Sequence, residues 1–182
     1  MRFGEHTDGE LDDIDLQLLM LLQEDCRSPL ARLGGHVGLS APAVLERIKK
    51  LEAANVITGY RAILDGRRVG LDITAFIGVL ISHPNSIDDF EREVVTFDDV
   101  LECHHVTGEH TLLLKVKAAN TSALEQLISR IRSIDGVGRT ETMVVLSTHI
   151  ERVQLAVRPA EPPSGSASKR TRRNGERNLR RA

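Results

Sequence analysis

The chain has 182 residues, 41% of them apolar and 3% aromatic with no tryptophan. That is enough for one large hydrophobic core or two small ones, and it argues against the aromatic base-stacking platforms of single-strand binders. The two cysteines make no disulfide framework, and the N-terminal MRFGEHTDGE is too polar for a signal peptide. The apolar runs fall well short of the roughly 20 residues of a membrane span, so a soluble cytoplasmic protein is expected. The net charge of −2 conceals a basic end, because Lys169 to Ala182 carries seven bases and one acid while residues 1–168 are acidic overall.

Leu11 to Asp25 predicts a helix, with Asp12 as its cap and Asp15 in the first turn, where negative charge suits the dipole. Leu11, Ile14, Leu18 and Leu22 form its apolar stripe. Ser28-Pro29 stops that helix and opens a second one with Leu30, Leu33 and Val37 on its apolar face. Gly34 and Gly35 soften this helix by up to about 1 kcal/mol each relative to alanine. Gly38 ends it. Ser40 caps a third helix that tolerates Pro42 in its first turn. This third helix buries Val44, Ile48 and Leu51 and shows Ala43, Glu46, Arg47, Lys49 and Lys50 on its other face. A short helix braced behind a basic helix is the layout that puts a recognition helix into the major groove. Val56-Ile57 and Tyr60 to Leu64 predict a β-ribbon, the wing of a winged helix-turn-helix spanning residues 1–66. Asp65-Gly66-Arg67-Arg68 reads as a charged turn before a domain boundary between Leu64 and Gly70.

The second domain, residues 70–150, alternates strands and helices. Ile73 to Ser82 is nearly continuous in apolar residues and predicts a strand buried on both faces. Ser86 to Phe97 predicts a helix with Ile87, Phe90 and Val94 inward. Val100 to Thr107 and Leu112 to Ala118 predict a hairpin around Gly108. Ser122 and Glu125 match a capping box for a helix that buries Leu124, Leu127, Ile128 and Ile131. Arg139 to Thr148 predicts the last strand. The order β-α-β-β-α-β is the ferredoxin-like split motif, so the fold class is α+β. Residues 159–182 are poor in apolar side chains and predict a disordered basic tail, either an extra source of sequence-independent DNA affinity or a solubilising extension.

The candidate DNA-binding residues are Ser40, Ala41, Pro42, Ala43, Glu46, Arg47, Lys49 and Lys50. The small residues at the helix start let the backbone approach the duplex, and a helix N-terminus favours a phosphate. Arg47 and one of Lys49 or Lys50 suit phosphate or guanine edges, and Glu46 suits a cytosine amino group or solvent. The plain alternative is a solvated basic face. Cys103, His104, His105 and His110 suggest a metal, but alternation puts His104 and His105 on opposite faces and the spacing fits no zinc pattern. No metal site or cofactor is expected. No HExxH, phosphate-binding loop, GxSxG or paired-carboxylate arrangement stands out, so no catalytic site is expected either.

Three segments, LDDIDLQLLMLLQED, VGLSAPAVLERIKKLEAANVITGYRAILD and VLECHHVTGEHTLLLKV with its later GVGRTETMVVLS, resemble the Lrp/AsnC family of leucine-responsive regulators over about Leu11 to Ile150. The resemblance implies a transcriptional regulator that binds double-stranded DNA through its N-terminal domain. It also implies that the second domain dimerises, assembles further to a tetramer or octamer, and binds an amino acid or similar effector between subunits. The effector site falls on Thr107, Gly108, Glu109, His110 and Thr111, with Thr140 and Thr142 on the last strand. Glycine at 108 permits a turn and close approach of a ligand to backbone N–H groups. The family usually carries an aromatic and then an aspartate where His110 and Thr111 stand, so a carboxylate that commonly holds the effector's ammonium is missing. A plain hairpin turn is the alternative for this loop. A homodimer would read a pseudo-palindromic operator, its heads about 34 Å apart or a multiple of it. Effector binding would shift the placement of the heads. Two rivals are a sirohaem decarboxylase, whose fold is similar, and an amino-acid-sensing assembly module with a vestigial helix-turn-helix.

Overall fold

The computed structural model describes residues 11–157, so the basic tail at 159–182 lies outside the described residues. Contacts divide the chain into two units: residues up to Tyr60 together with those from Gln154, and Arg61–Val153.

The first unit has three helices, α1 (Asp13–Glu24), α2 (Leu30–Val37) and α3 (Ala41–Ala53). Asp12 caps α1 in a reciprocal box: its carboxylate accepts from the Asp15 N–H, and the Asp15 carboxylate accepts from the Asp12 N–H. Leu18, Leu22, Leu33, Val44 and Ile48 make the core, with Ile14, Leu30, Val37 and Ile57 packed around it. Each fully buried leucine contributes roughly 1.5–3 kcal/mol. Leu11, expected on the apolar stripe, precedes the cap and is 37% exposed; Leu16 is buried instead. Gly38 ends α2 with φ +70, a left-handed C-cap that glycine adopts without penalty. Gly34 is buried, and a methyl group on it would run into the Leu39 carbonyl oxygen. The close turn between α2 and α3 therefore requires this glycine, which the sequence alone presents only as a weak spot.

The expected wing does not form a ribbon. No strand is assigned in residues 54–65. The N–H groups of Val56 and Ile57 both donate to the Leu51 carbonyl, closing α3, and Asn55 takes φ +54. With those donors consumed by the helix end, residues 60–64 find no ladder partner among the described residues.

The second unit is a four-stranded antiparallel sheet, β1 (Ile73–Ile81), β2 (Val100–His105), β3 (Leu112–Ala118) and β4 (Val137–Val144), in the order β2-β3-β1-β4. Helices α4 (Ile87–Val94) and α5 (Thr121–Arg132) cover one face. Ala75, Ile77, Val79 and Ile81 of β1 and Leu112, Leu114, Val116 and Ala118 of β3 pack there with Phe90, Val94, Leu127 and Ile131. This is the ferredoxin-like arrangement expected. The expectation that β1 is buried on both faces is met on the helix-covered face, while the other face is half-buried with Leu80 exposed. Both helices lie on the same face, and on the other Leu80 and Met143 are 41% and 45% exposed. Helix α5 begins a residue before Ser122, so the capping box there does not form; Asn120 Oδ1 accepts from the Ala123 N–H at 2.9 Å instead. None of the described helices is long and apolar enough to cross a membrane.

Candidate DNA-binding and effector sites

Ser40 caps α3 as its type requires, its Oγ accepting from the Ala43 N–H at 3.4 Å. Ala41 and Ala43 are partly covered, while Ser40, Pro42, Glu46, Lys49 and Lys50 are exposed. Leu45, which the pattern did not single out, joins this surface at 38% exposure. The start of α3 is thus a small, uncharged edge, with its lysines further along the helix.

Arg47 behaves differently from its lysine neighbours. Its Nη1 donates to Asp12 Oδ2 at 2.7 Å and to Asp15 Oδ1 at 2.8 Å. The Arg47 and Asp15 side chains are 29% and 17% exposed, so the contact is shielded on that side. Donation to Asp15 and then Asp12 raises the Arg47 pKa further above its ordinary value. The Asp15 backbone N–H, and after it the Arg47 guanidinium, hold the Asp12 carboxyl below its ordinary 3.8. The same Asp12 carboxylate therefore caps α1 and tethers α3. Arg47, read from the sequence as a base or phosphate contact, is bound to two carboxylates and fixes the recognition helix against α1. Its spacing on α3 could not show this, because its partners lie 35 and 32 residues away. Lys49 pairs only loosely with Glu46, at 3.5 Å with both side chains well exposed. Lys50 makes no ion pair with a described residue. These lysines, rather than Arg47, are the uncommitted cations of α3.

In the hairpin loop, Thr107, Gly108 and Glu109 are exposed, and Gly108 takes φ +115. Thr111 is engaged with β1: its N–H donates to the Val79 carbonyl at 2.9 Å, and its Oγ1 accepts from the Ile81 N–H at 3.1 Å. The Thr111 hydroxyl thus serves the sheet. His110 lies across Gly78, where an added Cβ would come within 2.6 Å of the imidazole Nε2. That nitrogen is 3.5 Å from Glu141 Oε2 on β4. On β4, Thr140 stands opposite Val79 and Thr142 opposite Ile77. Alternation puts these threonines on the helix-covered side and Glu141 on the open side with His110. The structure therefore brings the loop and β4 to one end of the sheet, but joins them through His110 and Glu141 rather than through the threonines.

His104 and His105 stand opposite Leu113 and Leu112 in consecutive register and so face opposite ways, as alternation predicts. His104 sits beside Glu102 at 3.2 Å. Among the described residues, no group of three or more histidine, cysteine or carboxylate side chains is placed to hold a metal.

Residues 11–52 match the family model described as the AsnC-type helix-turn-helix domain, and residues 74–155 match that of the Lrp/AsnC ligand binding domain. The chain belongs to the Lrp/AsnC family. The two matched segments cover α1 to α3 and β1 to β4 respectively. Among curated Lrp/AsnC relatives, the HTH-type transcriptional regulator FL11 of Pyrococcus furiosus is 31% identical over 150 residues, 82% of this chain and 99% of its own length. The HTH-type transcriptional regulator LrpA of Mycobacterium tuberculosis is 36% identical over 138 residues, 76% of this chain and 91% of its own. The feast or famine regulatory protein of M. tuberculosis, solved in complex with L-methionine, superposes with a TM-score of 0.75 at 35% identity, covering 80% of this chain and 98% of that one. A transcriptional regulator of Neisseria meningitidis, also solved with L-methionine, gives 0.76 at 31% identity, covering 80% and 96%.

Proposed function

We propose that this Lrp/AsnC regulator reads DNA through the exposed start of α3 and the outward lysines Lys49 and Lys50, with Arg47 holding the helix in place. The observation that carries this reading is the split of charge on α3. One arginine is consumed by Asp12 and Asp15, while the lysines have only a loose acidic neighbour or none. The uncommitted lysines toward the end of α3 fit a phosphate backbone, and at its start the small residues Ser40 to Ala43 and the exposed Leu45 fit close approach to base edges. The test is a gel-shift titration against genomic fragments captured by the protein. Lys49→Ala with Lys50→Ala should weaken binding, and unchanged affinity would remove this face from the interface.

The second domain binds a small effector, an amino acid or a related molecule, at the sheet end formed by residues 107–111 and β4. Two related proteins solved with L-methionine support this reading, as does the match to a ligand-binding domain. A second copy of the chain docks on the open sheet face, where Phe76, Leu80, Leu113 and Met143 interleave with Lys115 and Lys117. Such a dimer, acting in the cytoplasm, presents two copies of α3 to one operator. The effector regulates it by binding two assembly states with different affinity. Analytical ultracentrifugation checks the dimer, and Leu80→Glu should dissociate it. The relatives are transcriptional regulators, and none of them supports the sirohaem decarboxylase alternative.

A further inference from the structure

The segment from Gln154 groups with the helical head rather than with the sheet. Gln23, near the end of α1, holds it through a single side-chain amide. Its Oε1 accepts from the Leu155 N–H at 2.7 Å, and its Nε2 donates to the Leu155 carbonyl at 3.2 Å. One amide thus matches both backbone groups of one residue, as a neighbouring strand would. The Gln154 side-chain Nε2 donates in return to the Gln23 carbonyl at 3.0 Å. The Leu155 side chain is 78% exposed, so the docking is polar and not a product of apolar burial. These hydrogen bonds fix the point on the head from which the C-terminal sequence continues. That point lies at a particular corner. In a helix-turn-helix, the helix before the recognition helix crosses the phosphate backbone. Here it is α2, which starts at Leu30, just past the turn that follows α1. The exposed side chains at this corner, Glu24, Asp25, Arg27 and Arg32, cancel in charge, so the corner itself offers a duplex no net attraction.

We infer that residues 169–182 are a second DNA-binding element, a sequence-independent phosphate contact that Gln23 holds beside the helix-turn-helix. Seven lysines and arginines with one acid make this the most cationic stretch of the chain. It has no aromatic side chain to stack on bases and a single leucine, so it lacks what base stacking or docking in an apolar groove requires. Closely spaced cations are what a phosphate backbone takes up, with release of its counterions. From Leu155 to Lys169 the chain spans at most roughly 50 Å, about one and a half turns of a duplex. The anchor therefore keeps the bases over the DNA that the head occupies, at roughly millimolar effective concentration. Operator and unrelated DNA gain affinity alike. Of the two roles that the sequence allows this tail, the anchor selects DNA binding over simple solubilisation. The inference rests on the reading that the head binds DNA, and it adds a separate contact to that reading.

The experiment is fluorescence anisotropy with a captured genomic fragment and a scrambled duplex of equal length, at several salt concentrations. The full chain is compared with a variant whose seven tail bases are all glutamine, with Gln23→Ala, and with the two combined. Circular dichroism and thermal unfolding verify the fold of each. The neutral tail is expected to weaken binding to both duplexes about ten-fold or more at low salt, and to make the slope of log K against log salt shallower by about three units. The ratio of specific to scrambled affinity stays as it was. Gln23→Ala is expected to weaken binding about three-fold or more when the tail is intact and to change nothing when it is neutral, a non-additivity that a merely structural role for Gln23 does not produce. An unchanged slope, tighter binding by the neutral-tail variant, or an equal effect of Gln23→Ala in both backgrounds overturns the inference. Lys49→Ala with Lys50→Ala is titrated alongside. A weakened lysine variant with an unchanged tail slope sinks this inference alone, and a shallower tail slope with an unweakened lysine variant sinks the proposal for α3 alone.

Discussion

Replacing Arg47 with alanine separates two roles that a basic recognition helix can give an arginine. In the structure its guanidinium donates to Asp12 and Asp15 at 2.7 and 2.8 Å. Partly exposed ion pairs are worth about 0.2–1 kcal/mol each. The Asp15 side of the contact is 17% exposed and so sits toward the upper end of that range. The expected loss of stability in the helical head is therefore roughly 1 kcal/mol, read as a fall in melting temperature of several degrees. DNA affinity should fall as well, because α3 loses its tether to α1. The salt dependence of binding should not change, because no phosphate contact is removed. Lys50→Ala should behave oppositely: little change in melting temperature, and a slope of log K against log salt shallower by about 0.9. Thermal unfolding together with gel shifts at several salt concentrations measures both. If Arg47→Ala flattens the slope by about one unit while leaving the melting temperature unmoved, the arginine leaves its carboxylates for the duplex and is a phosphate contact rather than a tether.

The neighbouring glycines of α2 should respond with opposite signs. Gly34→Ala forces a methyl group onto the Leu39 carbonyl and should cost about 1–3 kcal/mol. Gly35→Ala meets nothing within 4 Å and should stabilise the helix by up to about 1 kcal/mol; chemical denaturation of the two variants checks this, and equal effects would refute the turn geometry. Tyr60 is the sole tyrosine of the chain, so an ultraviolet titration reports it alone. Its partial burial and its hydrogen bond to Glu52 push the phenol up to about 12, so the stability it contributes is complete below the ordinary 10.0 and lost as pH rises through the higher value. Glu52→Gln should bring the midpoint part of the way back, and a wild-type midpoint near 10 contradicts the contact. Asp12, held below 3.8 by the Asp15 N–H and Arg47, contributes stability above that pH that is lost as acid drives it through its lowered value. Asp12→Asn should flatten the acid limb of the stability profile below about pH 4 and leave the neutral region with only the loss of the Arg47 tether.

Much of this architecture was legible in the chain because it follows from short-range rules. Helical spacing of Leu18 and Leu22, a polar cap at Asp12 and Ser40, and glycine at 38 each act within a few residues, so α1 to α3 appear in sequence nearly where the structure has them. The alternation of strands and helices likewise gave the ferredoxin-like order, and the family resemblance placed function on it. Local rules failed where a group could satisfy itself in more than one way. Val56 and Ile57 have strand-forming side chains, yet their N–H groups close α3 and leave the wing without a ladder. Residues 73–82 are apolar throughout, but periodicity cannot say on which side α4 and α5 will pack.

The amino-acid order alone thus determined the elements, their succession and the chemical character of each surface, since these depend on backbone and side-chain preferences over one or two turns. Tertiary structure alone decided which charges remain available. Arg47 and Lys50 look equivalent in sequence, but only one of them meets two carboxylates that the chain supplies more than thirty residues earlier. Thr111 and His110 stand side by side, but folding commits the first to a β1 backbone group and lays the second over Gly78 beside Glu141. The physical reason is that a charge or a hydroxyl is spent by whatever polar group folding brings within about 3 Å, and that neighbour is set by long-range packing.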